Sequence, residues 1–305
     1  MEFSGCTLFS ADDAPLYNEF FQLSRTEISD SCLNSRVAWN SGFAYHKAVI
    51  DDTLCLVSDG GDFTTPHMTW PVGAMDEATL QRIVDTLSPI FAERGWTMRM
   101  MYIDEANLPL VRALQGYEAK ITCNPDFSDY VYLVEDLRNL SGKALHGQRN
   151  HINRFMRTYP DYRYSSISTD DRDEALALVR TWCEEKDLDC MDLTKSDYRA
   201  VRQLFVDFEK LDVRGGAIRL GGQLVAFSLA SLMRPDMAVI HFEKADASIR
   251  GLYAAINKFV LDHEFADVKY VNREEDMGIR GLRKSKRSYG PVHMVDKYEV
   301  TLTKI

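Results

Sequence analysis

The chain has 305 residues, 45% of them hydrophobic, with 36 lysines and arginines against 46 acids and a formal net charge of −10. That length accommodates two domains of ordinary size with a core each, and the acidic balance excludes nonspecific coating by nucleic acid over the whole surface while leaving room for a local basic patch. No run of about 18 apolar residues occurs, and Met1-Glu2-Phe3-Ser4-Gly5-Cys6 shows no basic segment ahead of an apolar one, so a soluble, cytoplasmic protein with no transmembrane segment is expected.

Ala14 to Arg25 places Leu16, Phe20 and Leu23 at helical spacing behind Asp12 or Asp13 as cap, which predicts a helix. Phe43 to Ile50 and Leu54 to Val57, joined by Asp51-Asp52, predict a hairpin, and Pro66 to Val72 a further strand. Asp76 to Glu93 reads as a helix because Leu80, Ile83, Val84, Leu87 and Ile90 form one stripe and Gly95 stops it. A strand over Thr97 to Ile103, a short helix over Asn107 to Gln115 closed by Gly116-Tyr117, and a strand over Tyr130 to Val134 complete the first half. Trp39, His46, His67 and Trp70 of this half read as core rather than site residues.

Leu140 to Arg157 gives a helix with Leu145, Ile152, Met156 and Tyr159 along one face and Arg149, Asn153 and Arg157 on another. The basic face is either a solvated linker answering the acidic remainder or a surface for a phosphate-rich ligand. The second half opens with a hairpin, Ala217 to Leu220 and Leu224 to Leu229 around Gly221-Gly222, followed by a strand from Met237 to Phe242. Arg250-Gly251-Leu252-Tyr253-Ala254-Ala255 then enters a helical run, Ile256 to Phe265, and a strand, Val268 to Val271. Strand, glycine turn, helix, strand is an arrangement that holds a phosphate on unpaired helix amides without a metal. A helix over Gly278 to Arg287 and a last strand over Tyr298 to Leu302 repeat the closing order of the first half, which implies a duplicated fold divided near residue 140.

Four blocks stand in order: Gly147-Gln148-Arg149-Asn150-His151-Ile152-Asn153-Arg154-Phe155, His241-Phe242-Glu243-Lys244-Ala245, Asn272-Arg273-Glu274-Glu275-Asp276-Met277-Gly278 and Gly281-Leu282-Arg283-Lys284-Ser285-Lys286-Arg287-Ser288-Tyr289. Together they resemble a bacterial family related to the C-terminal domain of phosphatidylglycerol lysyltransferase, over nearly the whole chain. The resemblance implies an α/β (α+β) protein of two tandem GNAT-like acyltransferase domains, each a mixed, mostly antiparallel sheet flanked by helices. Residues 1–139 are expected to form an N-terminal domain, a degenerate copy because only Gly73-Ala74-Met75 lies between Val72 and the helix at Asp76, too short for a phosphate loop, and 140–305 a C-terminal one carrying the donor site, entered through a basic helix at 143–158. It also implies a co-substrate in place of any permanently bound cofactor: aminoacyl-tRNA in the better-known relatives, acyl-coenzyme A in ordinary members. The coenzyme-A turn of ordinary members resembles Arg/Gln-x-x-Gly-x-Gly/Ala; Arg250 to Ala255 matches it in part, with Leu252-Tyr253 where the backbone approaches the pyrophosphate.

Acyl transfer needs a base for the attacking amine or hydroxyl and donors for the oxyanion. Glu243 is the candidate base, with structural pairing to a cation such as Arg250 as the alternative. His241, two residues earlier and expected on the same strand face, is a catalytic candidate or a hydrogen-bonded strand histidine. The resemblance makes Tyr289 an acid to the leaving group, the alternative being a core aromatic. Arg250, Gly251, Leu252, Tyr253 and Asn257 are assigned to the acyl donor. Asn272, Arg273, Glu274, Asp276, Arg283 and Lys286 are assigned to an amino-acid-like substrate, the alternative being an exposed charged loop. Arg149, Arg154 and Arg157, with the cationic run Arg280 to Arg287, are assigned to the acceptor end of a tRNA. Cys6, Cys32, Cys55, Cys123, Cys183 and Cys190 form no C-x-x-C pair, so reduced thiols and no metal site are expected. The leading reading is transfer of an aminoacyl group from aminoacyl-tRNA to an amine or hydroxyl on a small-molecule or envelope-precursor acceptor. The alternatives are an acyl-CoA-dependent N-acyltransferase and a non-catalytic ligand- or RNA-binding module on the same fold.

Overall fold

A computed structural model of the chain describes residues 6–185 and 197–305; Met1 to Gly5 and Cys190 lie outside the described residues. The strands are β1 (Thr7–Leu8), β2 (His46–Ile50), β3 (Thr53–Ser58), β4 (His67–Thr69), β5 (Met98–Ile103), β6 (Tyr117–Cys123), β7 (Asp129–Leu133), β8 (Arg163–Ser166), β9 (Arg214–Leu220), β10 (Gln223–Arg234), β11 (Met237–Ala245), β12 (Tyr270–Asn272), β13 (His293–Val295) and β14 (Tyr298–Lys304). The α-helices are α1 (Ala14–Phe21), α2 (Leu33–Ala38), α3 (Asn40–Phe43), α4 (Glu77–Glu93), α5 (Leu108–Arg112), α6 (Val134–Asn139), α7 (His146–Thr158), α8 (Arg172–Glu185), α9 (Asp197–Val206), α10 (Leu252–His263) and α11 (Arg280–Ser288).

Two compact units result, residues 1–128 with 295–305, and residues 129–294. The first sheet runs β1-β2-β3-β4-β5-β14-β6 and the second β8-β9-β10-β11-β12-β7-β13. Each therefore lays six strands in chain order and inserts one out of order between the fifth and the sixth: β14, the last strand, in the first sheet, and β7, which precedes β8, in the second. In each, the fourth and fifth strands are parallel neighbours, β4 with β5 and β11 with β12, among otherwise antiparallel described pairings. The expected mixed, mostly antiparallel sheets and the duplication are both present in this shared plan. The expected division at 139/140 is corrected: β7 precedes it yet lies in the second sheet, and β14 follows it yet lies in the first. Alternating apolar residues identify a strand but not its neighbour, so a long-range insertion leaves no local trace.

Side-chain chemistry accounts for the helices that frame the sheets. The Asp76 carboxylate accepts the Thr79 amide at 2.7 Å and starts α4, which buries Leu80, Ile83, Val84, Leu87 and Phe91. Helix α10 begins at Leu252, four residues before the expected Ile256. Its Leu252, Ala255, Ile256, Phe259 and Val260 pack with Ile218, Ala226, Ala230, Ala238, Ile240 and Ala245 of the second sheet. The four alanines on that face let the helix axis approach the strands closely.

Other expectations shift. Asn40 to Phe43 is a helical turn ended by Ala44 at φ 54°, so the first hairpin begins at His46. Strand β6 continues past Gly116, where the sequence reading stopped, and β1, β8, α8 and α9 are additions to it. Cys6, Cys32, Cys55 and Cys123 are free thiols, whereas Cys183 is disulfide-bonded, which corrects the expectation of reduced cysteines at that position. No helix among the described residues is long and apolar enough to cross a membrane.

The insertion of β14 between β5 and β6 makes the chain's last strand an interior strand, with Val300 and Leu302 in the core. Deleting residues 297–305 leaves both neighbours with unpaired edges, and the expected outcome is loss of cooperative thermal unfolding for the first unit, followed by circular dichroism. A truncated chain that melts at the wild-type temperature would refute this dependence.

Candidate functional site

Strands β11 and β12 pair in parallel only from Met237 with Tyr270 to Val239 with Asn272, and part beyond. Glu243 stands on β11 past the parting and Arg273 is the first residue after β12. Across the opening Arg273 Nη2 donates to Glu243 Oε2 at 2.6 Å, with side chains 12% and 13% exposed. Rings of Tyr132 and Tyr289 flank the guanidinium, their centroids 5.7 and 4.9 Å from Cζ. Burial pushes both phenols up and Arg273 acts against it, so both keep their protons at neutral pH. The ion pair is not closed on itself. Glu243 Oε1 and Arg273 Nε and Nη1 are buried with no protein partner among the described residues. The same holds for Ser228 Oγ, directly across from Glu243 on β10, and for Asn257 Nδ2 on α10, which packs on this sheet.

His241 is elsewhere. Leu229 lies opposite Phe242 and Ala230 opposite Ile240, which leaves His241 as the extra residue of a β-bulge. It is buried, with Nε2 2.8 Å from Ser231 Oγ and Nδ1 3.4 Å from Glu274 Oε1. Ser228 and Ser231 are three apart on β10 and so face opposite sides of the sheet. Glu243 goes with the first and His241 with the second, and the expected shared face is corrected by the bulge. Arg250, the cation expected beside Glu243, is exposed; Arg273 takes that place.

The loop after β12 is strained and clamped. Glu274 and Met277 hold φ of 57° and 52°, a region that non-glycine residues occupy at a cost. Buried Lys286 donates to the carbonyls of Arg273, Glu274 and Glu275, the last two at 3.0 and 2.5 Å. Burial and the nearby Arg273 push its pKa down to about 8. Asp276, 1% exposed, accepts the Tyr130 hydroxyl at 2.5 Å and both Nε and Nη2 of Arg283 at 2.8 and 2.6 Å. Asn272 donates to Asp129 at 3.0 Å and accepts the Glu274 amide at 2.7 Å. Asn272, Asp276, Arg283 and Lys286, expected against substrate, are thus engaged in shaping the loop that aims Arg273. Sequence reading passed over Tyr132, Ser228 and Ser231; a serine inside the apolar run Leu224 to Leu229 was the available signal for Ser228.

The expected donor turn faces the protein itself. Gly251 has φ 91°, and a Cβ there would lie 2.2 Å from the His151 carbonyl oxygen, so glycine is required because α7 crosses against the start of α10. Leu252 is fully buried, its amide donating to the Ile249 carbonyl at 3.2 Å, while Tyr253 is 39% exposed. Gly251 is thus set by packing against α7, and of the first amides of α10 that of Leu252 is already bonded within the turn. In the first unit the helix after the fourth strand, α4, has the amide of its third residue, Thr79, taken by Asp76. The two cationic runs do meet: Gln148 Nε2 on α7 donates to Ser288 Oγ at the end of α11 at 2.8 Å. Arg154 and Arg157 on α7 and Arg280, Lys284 and Arg287 on α11 are exposed, whereas Arg149 bonds the Leu140 carbonyl. A concavity of about 470 Å³ is lined by Asn150, Asn153, Met156 and Arg157.

Residues 23–301 match the family described as phosphatidylglycerol lysyltransferase, C-terminal. A conserved protein of unknown function from Bacteroides thetaiotaomicron is 32% identical, with a TM-score of 0.90 over 98% of this chain and 99% of that one. The structure of L-PGS from Bacillus licheniformis has a TM-score of 0.66 at 15% identity, over 95% of this chain and 91% of that one, a likeness of fold. An uncharacterized protein of Mycoplasmoides gallisepticum is 25% identical over 67% of this chain and 65% of its own length. This chain therefore spans less than two thirds of that relative. The fold is that of two GNAT-like units in tandem.

Arg283 holds the Asp276 carboxyl down at about 2, against an ordinary 3.8. A depressed acid contributes stability that is complete above the unfolded pKa and is lost as pH falls through the folded one, here roughly 2 kcal/mol between about pH 5 and pH 2. In urea titrations the stability gap between wild type and Asp276→Asn is therefore expected to be flat above about pH 5 and to narrow toward pH 2. A gap that does not change over that range would show that Asp276 is not held ionised by Arg283.

Proposed function

The chain belongs to the phosphatidylglycerol lysyltransferase C-terminal family, and on that premise we propose that its second unit is an acyltransferase moving an amino acid from aminoacyl-tRNA to an amine or hydroxyl acceptor. The observation that carries this reading is the buried Glu243–Arg273 pair with an acceptor and two donors unspent. Glu243 Oε1 takes the proton of the attacking amine or hydroxyl while the new C–N or C–O bond forms at the ester carbonyl. Arg273, through Nε–H or Nη1–H, donates to the oxyanion that results. As the intermediate collapses, the ester C–O bond breaks and Tyr289 gives its proton to the departing ribose oxygen. The proton gained by Glu243 balances the one Tyr289 loses, and exchange with solvent resets both. Ribose oxygen is a poor leaving group, so a phenol kept protonated by burial is useful there.

Two features favour aminoacyl-tRNA over acyl-coenzyme A as donor. The Gly251 position is pressed against the His151 carbonyl of α7, and exposed cations on α7 and α11 stand on helices joined by Gln148 and Ser288. Such a surface suits the phosphates of an RNA end. Small-molecule or envelope-precursor acceptors fit this reading equally, since the acceptor needs only a nucleophile that Glu243 can deprotonate.

Glu243→Gln is expected to lower single-turnover transfer from a panel of aminoacyl-tRNAs by about 100-fold or more while leaving tRNA affinity unchanged. Wild-type affinity for tRNA is expected to fall about tenfold or more between 50 and 200 mM salt, and less steeply in the Arg154→Ala, Arg157→Ala double variant. Transfer from acyl-coenzyme A with none from any aminoacyl-tRNA, or full activity in Glu243→Gln, would reject the proposal.

A further inference from the structure

The first unit contains a second buried arginine whose environment is unlike that of Arg273. Arg36, on α2, is 3% exposed. Its Cζ lies 4.6 Å from the Tyr102 ring centroid and 5.4 Å from that of Tyr45. Nη1 donates to the Tyr45 hydroxyl at 3.2 Å, and that hydroxyl is 3.4 Å from His67 Nε2. Tyr17, also buried, lends its hydroxyl to the Ser31 carbonyl at 2.8 Å. Nε and Nη2 of Arg36 have no acceptor among the described residues.

Those two nitrogens share one edge of the guanidinium, the edge that receives both oxygens of a carboxylate. This chain uses the same edge elsewhere, where Arg283 Nε and Nη2 each bond one oxygen of Asp276. At Arg36 the edge is left over, and the surroundings supply no countercharge by hydrogen bond. Burial brings His67 down to about 4, so it is neutral at pH 7. Burial raises the phenols of Tyr17, Tyr45 and Tyr102, so they are neutral as well. Asp30, the nearby acid, is engaged at 2.5 Å by Lys297. The cage therefore carries one positive charge, which a monoanion neutralises and a dianion overcompensates.

Its construction suggests a way in. Tyr17, Tyr45 and His67 are fully buried, whereas Tyr102 retains partial exposure. Tyr102 sits at φ 63° where β5 carries one extra residue against β14 between Met100 and Ile103. A bulge re-aims a strand side chain, and this one brings Tyr102 over the guanidinium.

We propose that the first unit is a binding site for a small monocarboxylate, received on the Nε and Nη2 edge of Arg36 inside the cage of Tyr17, Tyr45, Tyr102 and His67. This site is independent of the reaction assigned to Glu243 and Arg273. The unit thus has a task of its own and is not a degenerate copy.

The test is a titration of full-length protein labelled with ¹⁵N-arginine, following Nε–H signals at neutral pH with acetate, glycine and inorganic phosphate as probes. One Nε–H signal is expected to move saturably with acetate and with glycine but not with phosphate, and to show nuclear Overhauser contacts to the Tyr102 ring. Arg36→Lys, which keeps charge without the edge, is expected to weaken acetate binding by about tenfold or more, while Arg82→Lys, at an exposed arginine of the same unit, leaves it unchanged. No saturable movement in the wild type overturns the proposal, as does a moving signal that contacts Tyr132 and Tyr289 in place of Tyr102. Equal response to phosphate overturns the carboxylate assignment. The Overhauser contacts are read on the wild type, so the outcome stands even where Arg36→Lys does not fold.

Discussion

The buried contact between Glu243 and Arg273 is the constraint around which the second unit is arranged. Taking both charges out of water costs several kcal/mol each, and their attraction offsets this only in good geometry. Removing one partner leaves the other uncompensated, an effect of about 3–5 kcal/mol in comparable pairs. A pair that merely stabilised the fold would satisfy its remaining atoms. Here one carboxylate oxygen and two guanidinium nitrogens stay unspent, and across the strand from Glu243 the Ser228 hydroxyl is unpartnered as well. Polar groups left this way are expensive, and a sheet that opens at the same point gives the expense a use. The short pairing of β11 with β12 supplies the opening, and the bulge at His241 turns that histidine away from it.

The two units show what duplication keeps and what it changes. The strand order and the single parallel pair are the same in both sheets. Start-of-helix chemistry differs: α4 is capped by its own Asp76, and α10 begins at a glycine pressed against His151. Each unit also holds a buried arginine, one paired with an acid and one surrounded by neutral aromatic groups. A guanidinium remains charged in both settings because its intrinsic pKa is so high, which an ammonium or imidazole would not do.

Much of this was legible in the sequence where the signal is local. The stripe of α4, the paired glycines at 221 and 222, the strand carrying Glu243 and the basic face of α7 follow from spacing alone, and the four blocks pointed to the family. The failures have physical reasons. Strands β7 and β14 are inserted by long-range pairing, which alternation does not encode. The bulge at His241 is one extra residue, invisible to a two-residue period, and it reversed the inference about a shared face. Arg273 rather than Arg250 meets Glu243 because the parting of two strands sets the partner, not nearness in sequence. Arg36 was missed because a single arginine in a short helical segment carries no pattern, and His67 read as core is core, yet core that forms a wall of the cage.

Residues that hold a site and residues that touch a ligand draw on the same amino acids. Asn272, Asp276, Arg283 and Lys286 have the polarity expected of substrate contacts, and the structure engages each with the loop itself. The reason lies in the backbone. Two non-glycine residues in the left-handed region cost of order 1–3 kcal/mol each, and the loop keeps them only if its surroundings over-determine that shape. Lys286 binds three successive carbonyls and Asp276 gathers a phenol, a guanidinium and an amide, so the strained path is the one that satisfies the most polar groups. Arg273 leaves β12 at the start of that path, with its direction fixed before any ligand arrives. Preorganised donors act on a developing oxyanion without reorganising during the reaction, and in the proposed transfer the clamped loop would hold Arg273 as such a donor.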